Sequence, residues 1–457
     1  MSPAFTPAKV ALWAHGAWTM PPAIPLTGFC TDTRTLQPGD LFVALKTARR
    51  DGHDFLAEAR SRGAAGALVA YPVADALPQL VVANPQAALQ AIAAAWRKLF
   101  PGTVIGVTGS VGKTSTKDLL GALLGPTAFM TEANLNNLLG VPLMLLRLRS
   151  PPHQYAVIEA GMSIPGELGR SAQVLQPHLA IITAVAPVHL EGVGSLAAIA
   201  REKATLVTAL AAGGQAILPA QLLAWPDFAV HADRCLAVHF VGEPAPLVTP
   251  HRLIAASLGE VAGRRTLTLA GETFPLGAIS DGLARNAALA VVAAQAVGLS
   301  GAQIRTALAN WSPPVGRGSV HVLGAQIFYL DCYNSSPVAL LDAAQCFDRL
   351  SRPVPTPRLW LVGGMAELGP TASALHREAG TTLPIRAGDT VVAFGGEAAA
   401  LLAGLPALPG QHILAASLDE VRAVLSAHIG YVFVKGSRSF ALERALPAAL
   451  TAQLSFH

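Results

Sequence analysis

The sequence predicts an α/β protein of three domains, built from mostly parallel sheets with helices on their faces. Two observations support this fold class. Apolar, strand-like runs alternate with helical segments along most of the chain, and 457 residues correspond to about three domains of ordinary size. Clusters of Pro and Gly break the pattern at residues 99–102 and 312–318. We therefore expect domains at residues 1–98, 99–313 and 314–457.

The individual elements follow from apolar runs bounded by turn-forming residues. In the middle segment we expect strands at 103–107, 155–159 and 179–185, with helices at 113–124 and 196–211. In the last segment we expect strands at 327–331, 359–363, 390–394 and 431–434, with helices beginning at Thr371 and Ser439.

The composition favours a cytoplasmic protein. Hydrophobic residues make up 52% of the chain and charged residues only 13%, but the longest apolar stretches, such as 287–299, are shorter than the roughly 18 to 20 residues that span a bilayer. Lys9, His15 and the Pro21–Pro22 pair do not form the pattern of a signal peptide. We expect neither membrane insertion nor export.

Charge and cysteine content exclude two further classes of protein. The 32 basic and 28 acidic residues leave a net charge of +4 without long basic runs, which argues against nucleic acid as a partner. The four cysteines lie far apart, with neither metal-type nor CxxC spacing. We expect them to be buried thiols, namely Cys30, Cys235, Cys332 and Cys346.

A glycine-rich segment between a strand and a helix predicts a phosphate-binding loop. It has the pattern T-G-x-x-G-K-[ST] and includes Thr108, Gly109, Ser110, Val111, Gly112, Lys113, Thr114 and Ser115. Glycines allow consecutive backbone N–H groups to surround phosphate oxygens, and the positive end of the following helix points at them. Lys113 adds a mobile positive charge, and the Thr114 hydroxyl suits Mg²⁺. An ordinary glycine turn is the alternative, but Gly-Lys-Thr directly after a strand favours ATP.

Three residues downstream are candidates for a metal site. Glu159 ends a predicted strand, where ligand-binding groups gather in open α/β sheets. His189 follows the next strand, and Lys203 lies in the predicted helix at 196–211. Taken alone, Glu159 is equally consistent with a surface side chain, whereas a lone His189 or Lys203 in these positions is more often a solvated side chain than a ligand.

Together with further motifs, these residues resemble the Mur ligase family over nearly the whole chain. In the N-terminal segment the motifs are Thr-Asp-Thr-Arg at 31–34, Pro-Gly-Asp-Leu-Phe-Val-Ala-Leu at 38–45 and Asp-Gly-His-Asp-Phe at 51–55. The middle segment adds the phosphate loop, Asn-Leu-Asn-Asn at 134–137 and His-Leu-Glu-Gly at 189–192. The C-terminal segment adds Tyr-Asn at 333–334, Met-Ala-Glu-Leu-Gly at 365–369 with His376, and Lys-Gly-Ser-Arg at 435–438.

The resemblance implies a fold, a nucleotide and a metal set. It implies an N-terminal domain that binds the uridine nucleotide, a central ATPase domain of P-loop type and a Rossmann-like C-terminal domain. Thr114 and Glu159 would hold one Mg²⁺, and a second Mg²⁺ would use Glu159, His189 and Lys203. In this family the matching lysine is carbamylated by CO₂, which turns it into an anionic oxygen ligand. The implied catalytic residues are Lys113, Glu159, His189, Lys203 and Arg317.

The resemblance also implies residues that bind ATP and the other substrates. Asn286 would meet the adenine, Arg317 the phosphates and Asp331 the ribose, in addition to the phosphate loop. The implied substrate-binding residues are Thr33, Arg34, Asp51, Gly52, His53, Asn134, Asn136, Asn137, Lys435, Ser437 and Arg438.

The implied reaction is the ATP-dependent joining of D-alanyl-D-alanine to UDP-N-acetylmuramoyl-tripeptide in peptidoglycan precursor synthesis. It would pass through an acyl phosphate and give ADP and phosphate, and a monomer is expected. The chain departs from the family pattern at five places. The family usually has His-Asn where Gly282-Leu283 stands, a second Asp at Cys332, Asn-Pro at Ser336-Pro337, Asp at Gly364 and Gly-Glu at Ala204-Thr205. A related ligase with another amine acceptor, an inactive nucleotide-binding paralogue and a plain P-loop ATPase therefore stay open as alternatives.

Overall fold

The computed structural model describes residues 5–187, 193–261, 264–352 and 358–452. The strands among these residues belong to three sheets, of five, nine and six strands. Helices connect most successive strands, and most of the strand pairs are parallel. This arrangement confirms the predicted α/β class.

The first sheet has the strand order β1-β5-β4-β3-β2. β2 to β5 run parallel, and the short β1 pairs antiparallel with β5. Asn84 caps the last helix of this stretch, where its Oδ1 accepts from the Ala87 N–H at 3.0 Å. The elements are α1 Pro7–Ala14, β1 Ala17–Trp18, β2 Gly28–Cys30, β3 Asp40–Val43, α2 Leu56–Ser61, β4 Gly66–Val69, β5 Gln79–Val81 and α3 Pro85–Leu99.

The middle stretch supplies the nine-stranded sheet. Its elements are β6 Thr103–Thr108, α4 Lys113–Leu124, β7 Ala128–Met130, α5 Gly140–Leu146, β8 Tyr155–Glu159, α6 Glu167–Leu175, β9 Leu179–Ile182, α7 Leu196–Thr208, β10 Gln215–Pro219, α8 Pro226–Ala229, β11 Cys235–Phe240, β12 Arg252–Val261, β13 Arg264–Leu269, β14 Glu272–Gly277, α9 Asp281–Ala296 and α10 Gly301–Ala309. β6 and β7 both pair parallel with β8, and β11 pairs parallel with β10 and β12. β12, β13 and β14 form an antiparallel meander.

The C-terminal stretch forms the six-stranded sheet, in the order β15-β16-β20-β17-β18-β19. All pairs are parallel except that of β15 with β16. The elements are β15 Ser319–Leu323, β16 Gln326–Asp331, α11 Pro337–Ser351, β17 Arg358–Gly363, α12 Ala372–Thr382, β18 Thr390–Phe394, α13 Ala398–Gly404, β19 Gln411–Ala415, α14 Leu418–Ala427, β20 Gly430–Lys435 and α15 Ala448–Thr451.

Alternating side chains of the C-terminal sheet enter two separate cores. Tyr329, Trp360 and Phe433 pack on one face with Phe347 of α11. Their strand neighbours, including Leu330, pack on the other face with α14 and the segment after β20. Because both faces are covered, ligands have access at the carboxyl ends of the parallel strands.

Several predicted elements are confirmed, and three are wrong in part, one of them the helix predicted at 196–211, which ends at Thr208. The helix at 113–124 and the strands at 155–159 and 390–394 have the predicted bounds. The predicted strand at 179–185 ends at Ile182 because the chain then turns to the phosphate loop. No continuous α-helix starts at Ser439, since Ala441 adopts a left-handed conformation (φ 49°) between two 3₁₀ turns, Arg438–Phe440 and Leu442–Ala445.

The residues group into two compact units. One comprises Met1–Thr108, Gly125–Ala180 and Thr205–Gln215, and the other Gly109–Leu124, Ile181–Ala204 and Ala216–His457. The domain boundaries predicted at 98/99 and 313/314 stay predictions. All four cysteines are free and buried, as expected. Within the described ranges, no helix combines the length and the apolar character needed to cross a bilayer.

Candidate active site

The predicted phosphate loop connects β6 to α4 and is shaped by two glycines. Gly109 and Gly112 have φ values of 154° and 84°, which residues with a Cβ rarely adopt. Lys113 is the first residue of α4, and its Nζ donates to the Gly109 carbonyl oxygen at 2.8 Å. The lysine therefore lies folded over the loop, with the N-terminus of α4 behind it.

Residues directly after β9 hold this loop in shape. The Thr183 hydroxyl donates to the Val111 carbonyl oxygen at 2.5 Å. Ser110 makes a reciprocal pair with Ala186, because its Oγ accepts from the Ala186 N–H at 2.8 Å and donates to the Ala186 carbonyl at 2.9 Å. A Cβ at position 109 would overlap the Thr183 hydroxyl. Sequence reasoning missed this support, whose only signal was the position of Thr183 at a strand end.

Lys203 lies buried on α7, with 2% of its surface exposed. Burial, and then the positive charge of Lys113, lower the pKa of Lys203 to about 7. The two lysines are thus close enough to repel each other. An amine with such a pKa is partly neutral at physiological pH, which makes it a nucleophile as well as a cation.

Asn286 also reaches the phosphate loop. It lies on α9, and its side-chain amide contacts Gly112 so closely that a Cβ at position 112 would overlap the Asn286 Nδ2 atom. The structure therefore brings together the loop, Lys113, Lys203 and Asn286 within one compact unit. Half-buried Thr114 and Ser115 follow Lys113 in the first turn of α4.

Glu159 and the asparagine motif form a second cluster, in the other compact unit. Glu159 is 2% exposed at the end of β8, and its Oε1 accepts from the Asn136 Nδ2 at 2.9 Å. The Glu159 N–H donates to the Thr131 hydroxyl at 2.8 Å. Asn136 thus orients a buried carboxylate.

The neighbouring asparagines have different surroundings. Asn137 accepts from the Leu139 and Gly140 N–H groups at 3.1 and 2.8 Å, at the start of α5. Asn134 is exposed, and its carbonyl accepts from the Asn136 N–H at 2.8 Å. The predicted ligand His189 lies outside the described residues.

The C-terminal candidates gather at the carboxyl ends of β16 and β20. Lys435 is 1% exposed, and its Nζ donates to Asp331 Oδ2 at 2.7 Å and to the Asn334 carbonyl at 3.0 Å. Arg317 stacks on Tyr333, with 3.6 Å between the guanidinium carbon and the ring centroid. Lys435 therefore fixes Asp331 and the loop that carries Tyr333.

Ser437 and His376 hold the Met-Ala-Glu-Leu-Gly loop. The Ser437 Oγ accepts from the Ala366 N–H at 2.9 Å, and the His376 Nε2 accepts from the Met365 N–H at 2.8 Å. His376 therefore carries its proton on Nδ1, which donates to the Ala372 carbonyl at 2.7 Å. Arg438 is exposed and forms a 2.6 Å ion pair with Glu443.

The departures from the family pattern have local explanations. At Gly364, where the family has Asp, a Cβ would come within 2.7 Å of the Gly395 carbonyl and 2.9 Å of the Phe440 ring. Phe440 fills the space instead. Ser336 caps α11 by accepting from the Ala339 N–H, which Asn also does well. Cys332 belongs to the core, where burial raises the pKa of its thiol to about 12.

In the N-terminal motif at 51–53, the side chains bind each other. The buried His53 accepts from the Ala70 N–H at its Nε2 (2.9 Å), so its Nδ1–H donates to Asp51 Oδ1 (2.6 Å). The Tyr71 hydroxyl donates to Asp51 Oδ2 at 3.0 Å, and its ring stacks on His53. Gly52 allows close approach to the backbone of Leu45, to whose carbonyl its N–H donates.

The motif at 31–34 is more exposed. Thr33 is buried, whereas 79% of the Arg34 side chain is exposed. The guanidinium of Arg34 forms a bidentate ion pair with the Asp32 carboxylate, with a closest approach of 2.5 Å. The Arg34 side-chain hydrogen bonds lower the pKa of Asp32 to about 2.

The fold and the loop together define a nucleotide-binding α/β protein. Comparison with known proteins narrows this class, because residues 107–243 match the Mur ligase middle domain. The UDP-N-acetylmuramoyl-tripeptide--D-alanyl-D-alanine ligase of Escherichia coli K12 is 32% identical over 436 residues, covering 93% of this chain and 94% of its own. The protein of the same name from Synechocystis is 34% identical over 368 residues, covering 78% and 76%. The chain belongs to the Mur ligase family.

Solved structures agree with this assignment. A crystal structure of MurF from Acinetobacter baumannii superimposes with a TM-score of 0.83 at 28% identity, covering 98% of this chain and 99% of that one. MurF from Thermotoga maritima, solved in complex with ADP, gives a TM-score of 0.78 at 25% identity, covering 93% and 96%. The resemblance found from the sequence motifs is therefore confirmed.

Proposed function

We propose that this chain is an ATP-dependent ligase that joins D-alanyl-D-alanine to UDP-N-acetylmuramoyl-tripeptide in peptidoglycan precursor synthesis. Relatives named for this activity match most of the chain. One structural observation carries the proposal: Lys203 is buried, with 2% of its surface exposed, in the same compact unit as the phosphate loop and Lys113. A plain P-loop ATPase does not require this second lysine. A cytoplasmic location and a monomeric state belong to the same proposal.

ATP would bind with its phosphates in the loop at 108–115. The loop N–H groups, the N-terminus of α4 and Lys113 all place positive charge there. Asn286 would meet the adenine, while Asp331 and Arg317 would reach the ribose and the phosphates. The contact of Asn286 with Gly112 supports a position beside the nucleotide, and the ADP complex of the Thermotoga relative supports the nucleotide itself.

The donor set fits Mg²⁺, which prefers oxygen ligands. The Thr114 hydroxyl and the Glu159 carboxylate, already oriented by Asn136, would hold one ion. Glu159, His189 and Lys203 would hold the second, after neutral Lys203 has attacked CO₂ and lost a proton to become a carbamate. When bound, the ions neutralise phosphate charge and so allow an anionic carboxylate to approach.

Because a carboxylate is a poor electrophile, the tripeptide must first be activated. Its carboxylate oxygen would attack the γ-phosphorus of ATP, ADP would leave, and an acyl phosphate would form. The amine of D-alanyl-D-alanine would then attack the acyl carbon and release phosphate. Lys113 and Arg317 would stabilise the charge on the transferring group.

The remaining motifs would bind the two other substrates. Thr33, Arg34 and the 51–53 motif would shape the uridine-nucleotide site, Asn134 and Asn137 would adjoin the tripeptide, and Lys435, Ser437 and Arg438 would shape the amine site. Exposed Arg34 is suited to a direct phosphate contact. Buried His53 and Lys435 are suited to holding their loops in place.

A related ligase with a different amine acceptor is the second candidate. One observation favours it: Phe440 fills the space beside Gly364, where the family has Asp. The Phe440 ring is an apolar group at the carboxyl edge of the C-terminal sheet.

A phosphate-release assay tests both candidates. Purified protein with ATP and Mg²⁺ is given UDP-muramoyl tripeptides ending in lysine or diaminopimelate, with and without D-alanyl-D-alanine. We expect release only with all three substrates, and transfer of ¹⁸O from the labelled tripeptide carboxylate to phosphate. Release with another amine but not with D-alanyl-D-alanine would favour the second candidate, and release without any tripeptide would contradict both.

A further inference from the structure

The first turn of α9 is held by a helix of the C-terminal sheet. The Gly282 N–H donates to Asp342 Oδ1 at 2.9 Å, and Arg349 forms a 3.0 Å ion pair with Asp281. Asp342 and Arg349 lie seven residues apart on α11, and therefore on one face of that helix. Two side chains of α11, two helical turns apart, thus bind the first turn of α9.

This contact depends on a glycine at position 282. A Cβ there would come within 2.5 Å of Asp342 Oδ2. Gly282 has no Cβ, and it therefore lets α11 approach the start of α9. Asp342 is well placed for such a contact, because a carboxylate at a helix N-terminus accepts from otherwise unpaired N–H groups.

The same helix reaches the phosphate loop one turn further on. Asn286 follows Gly282 by four residues, which places both on one side of α9. Its amide lies against Gly112, and α9 packs along α4, the helix that begins at Lys113. Because a helix turn is stiff, a shift of its first residues also moves Asn286.

We propose that Asp342 is a positioning residue for the adenine nucleotide: through the Gly282 N–H it holds α9 so that Asn286 stays against the phosphate loop. The C-terminal segment then contributes to nucleotide affinity without touching the nucleotide at this point. This inference rests on the nucleotide site of the proposed function, but not on the identity of the amine or the tripeptide.

The test measures Mg-ADP binding to the full chain by titration calorimetry, with no other substrate present. We expect Asp342→Ala to weaken binding roughly tenfold and Asp342→Asn, which keeps an acceptor oxygen, to stay within about threefold of the parent. Asp419→Ala is the matched control, because this carboxylate lies on α14 of the same sheet and its side chain is 87% exposed. We expect no change there.

A double-mutant cycle separates positioning from a general loss of stability. In an Asn286→Ala background, Asp342→Ala should weaken Mg-ADP binding by less than about twofold, because the positioned group is gone. If Asp342→Ala does not fold, Gly282→Ala replaces it, since Ala favours the helix while its Cβ displaces Asp342.

Two outcomes would overturn the proposal. The first is an unchanged ADP affinity in a folded Asp342→Ala or Gly282→Ala protein. The second is that Asp342→Ala weakens ADP binding equally in the presence and in the absence of Asn286. A protein that binds Mg-ADP with the expected pattern but forms no amide bond would contradict the proposed function and leave this inference standing.

Discussion

The phosphate-loop region and the N-terminal motif at 51–53 use their polar residues in opposite ways. Around the loop, the bracing comes from outside the motif, through Thr183 and Ala186, so that the motif's backbone and Lys113 face the site. At 51–53, Asp51 and His53 of the motif bind each other, and Tyr71, from outside the motif, donates a further hydrogen bond to Asp51. A sequence motif thus mixes residues that contact a ligand with residues that hold the loop.

The largest effect should come from Lys203, which belongs to the phosphate-loop region. We expect Lys203→Ala to lower kcat by about 10³-fold or more, because the proposed carbamate, an oxygen ligand for a metal ion, could no longer form. Added acetate or formate should partly restore turnover by supplying an anion. Steady-state kinetics with increasing acetate measure this.

Exposed Lys98 provides the control, since Lys98→Ala removes a helical lysine that belongs to none of the motifs. Full activity of Lys203→Ala without acetate would exclude Lys203 from the mechanism.

A smaller effect should come from Thr183, which supports the phosphate loop through a hydrogen bond. Thr183→Val removes the hydroxyl that donates to Val111, and leaving that buried carbonyl unpaired costs about 1 to 3 kcal/mol. We expect weaker Mg-ADP binding by roughly tenfold, measured by calorimetry.

Thr306→Val is the matched control, because the Thr306 hydroxyl bonds to a carbonyl on the exposed face of α10. Equal ADP affinities for Thr183→Val and the parent would mean that the loop keeps its shape unaided.

For the N-terminal motif we expect loss of stability rather than loss of chemistry. His53→Ala leaves the Ala70 N–H without its acceptor and removes the imidazole donor from Asp51, which should lower the free energy of unfolding by about 2 kcal/mol. Urea denaturation measures this, and Mg-ADP affinity should not change. A variant of unchanged stability with a strongly raised KM for the UDP substrate would instead make His53 a direct substrate contact.

The smallest effect concerns Asp32 and Arg34. The pKa of Asp32 falls from 3.8 to about 2 in the folded chain, chiefly through the Arg34 hydrogen bonds. A depressed carboxyl pKa stabilises the fold above about pH 4, and the stabilisation is lost as the pH falls towards 2. The urea midpoint of Arg34→Ala should therefore depend less on pH in that window than the parent midpoint, at low salt. Identical pH profiles would show that the ion pair contributes nothing.

The sequence was sufficient to predict those parts of the structure that depend on residues close together in the chain. Glycines, Lys113 and flanking apolar runs predicted the loop and its two elements, because backbone conformation and helix termini depend on near neighbours. The contacts of Thr183 and Asp342 join residues about 60 to 70 positions apart, and no local pattern encodes such contacts. The helix predicted from Ser439 failed for a related reason: tertiary packing of Phe440 against three glycines goes with a left-handed Ala441.

The packing of the Phe440 ring against Gly364, Gly395 and Gly396 restricts which substitutions these positions can accept. None of the three glycines can gain a side chain while the ring stays, and loss of the ring would open a gap at the edge of the sheet. Restoring the family's aspartate at 364 therefore requires a second, simultaneous change at 440. A side chain at 364 would also meet the Gly395 carbonyl oxygen, so the backbone at 395 would have to shift as well.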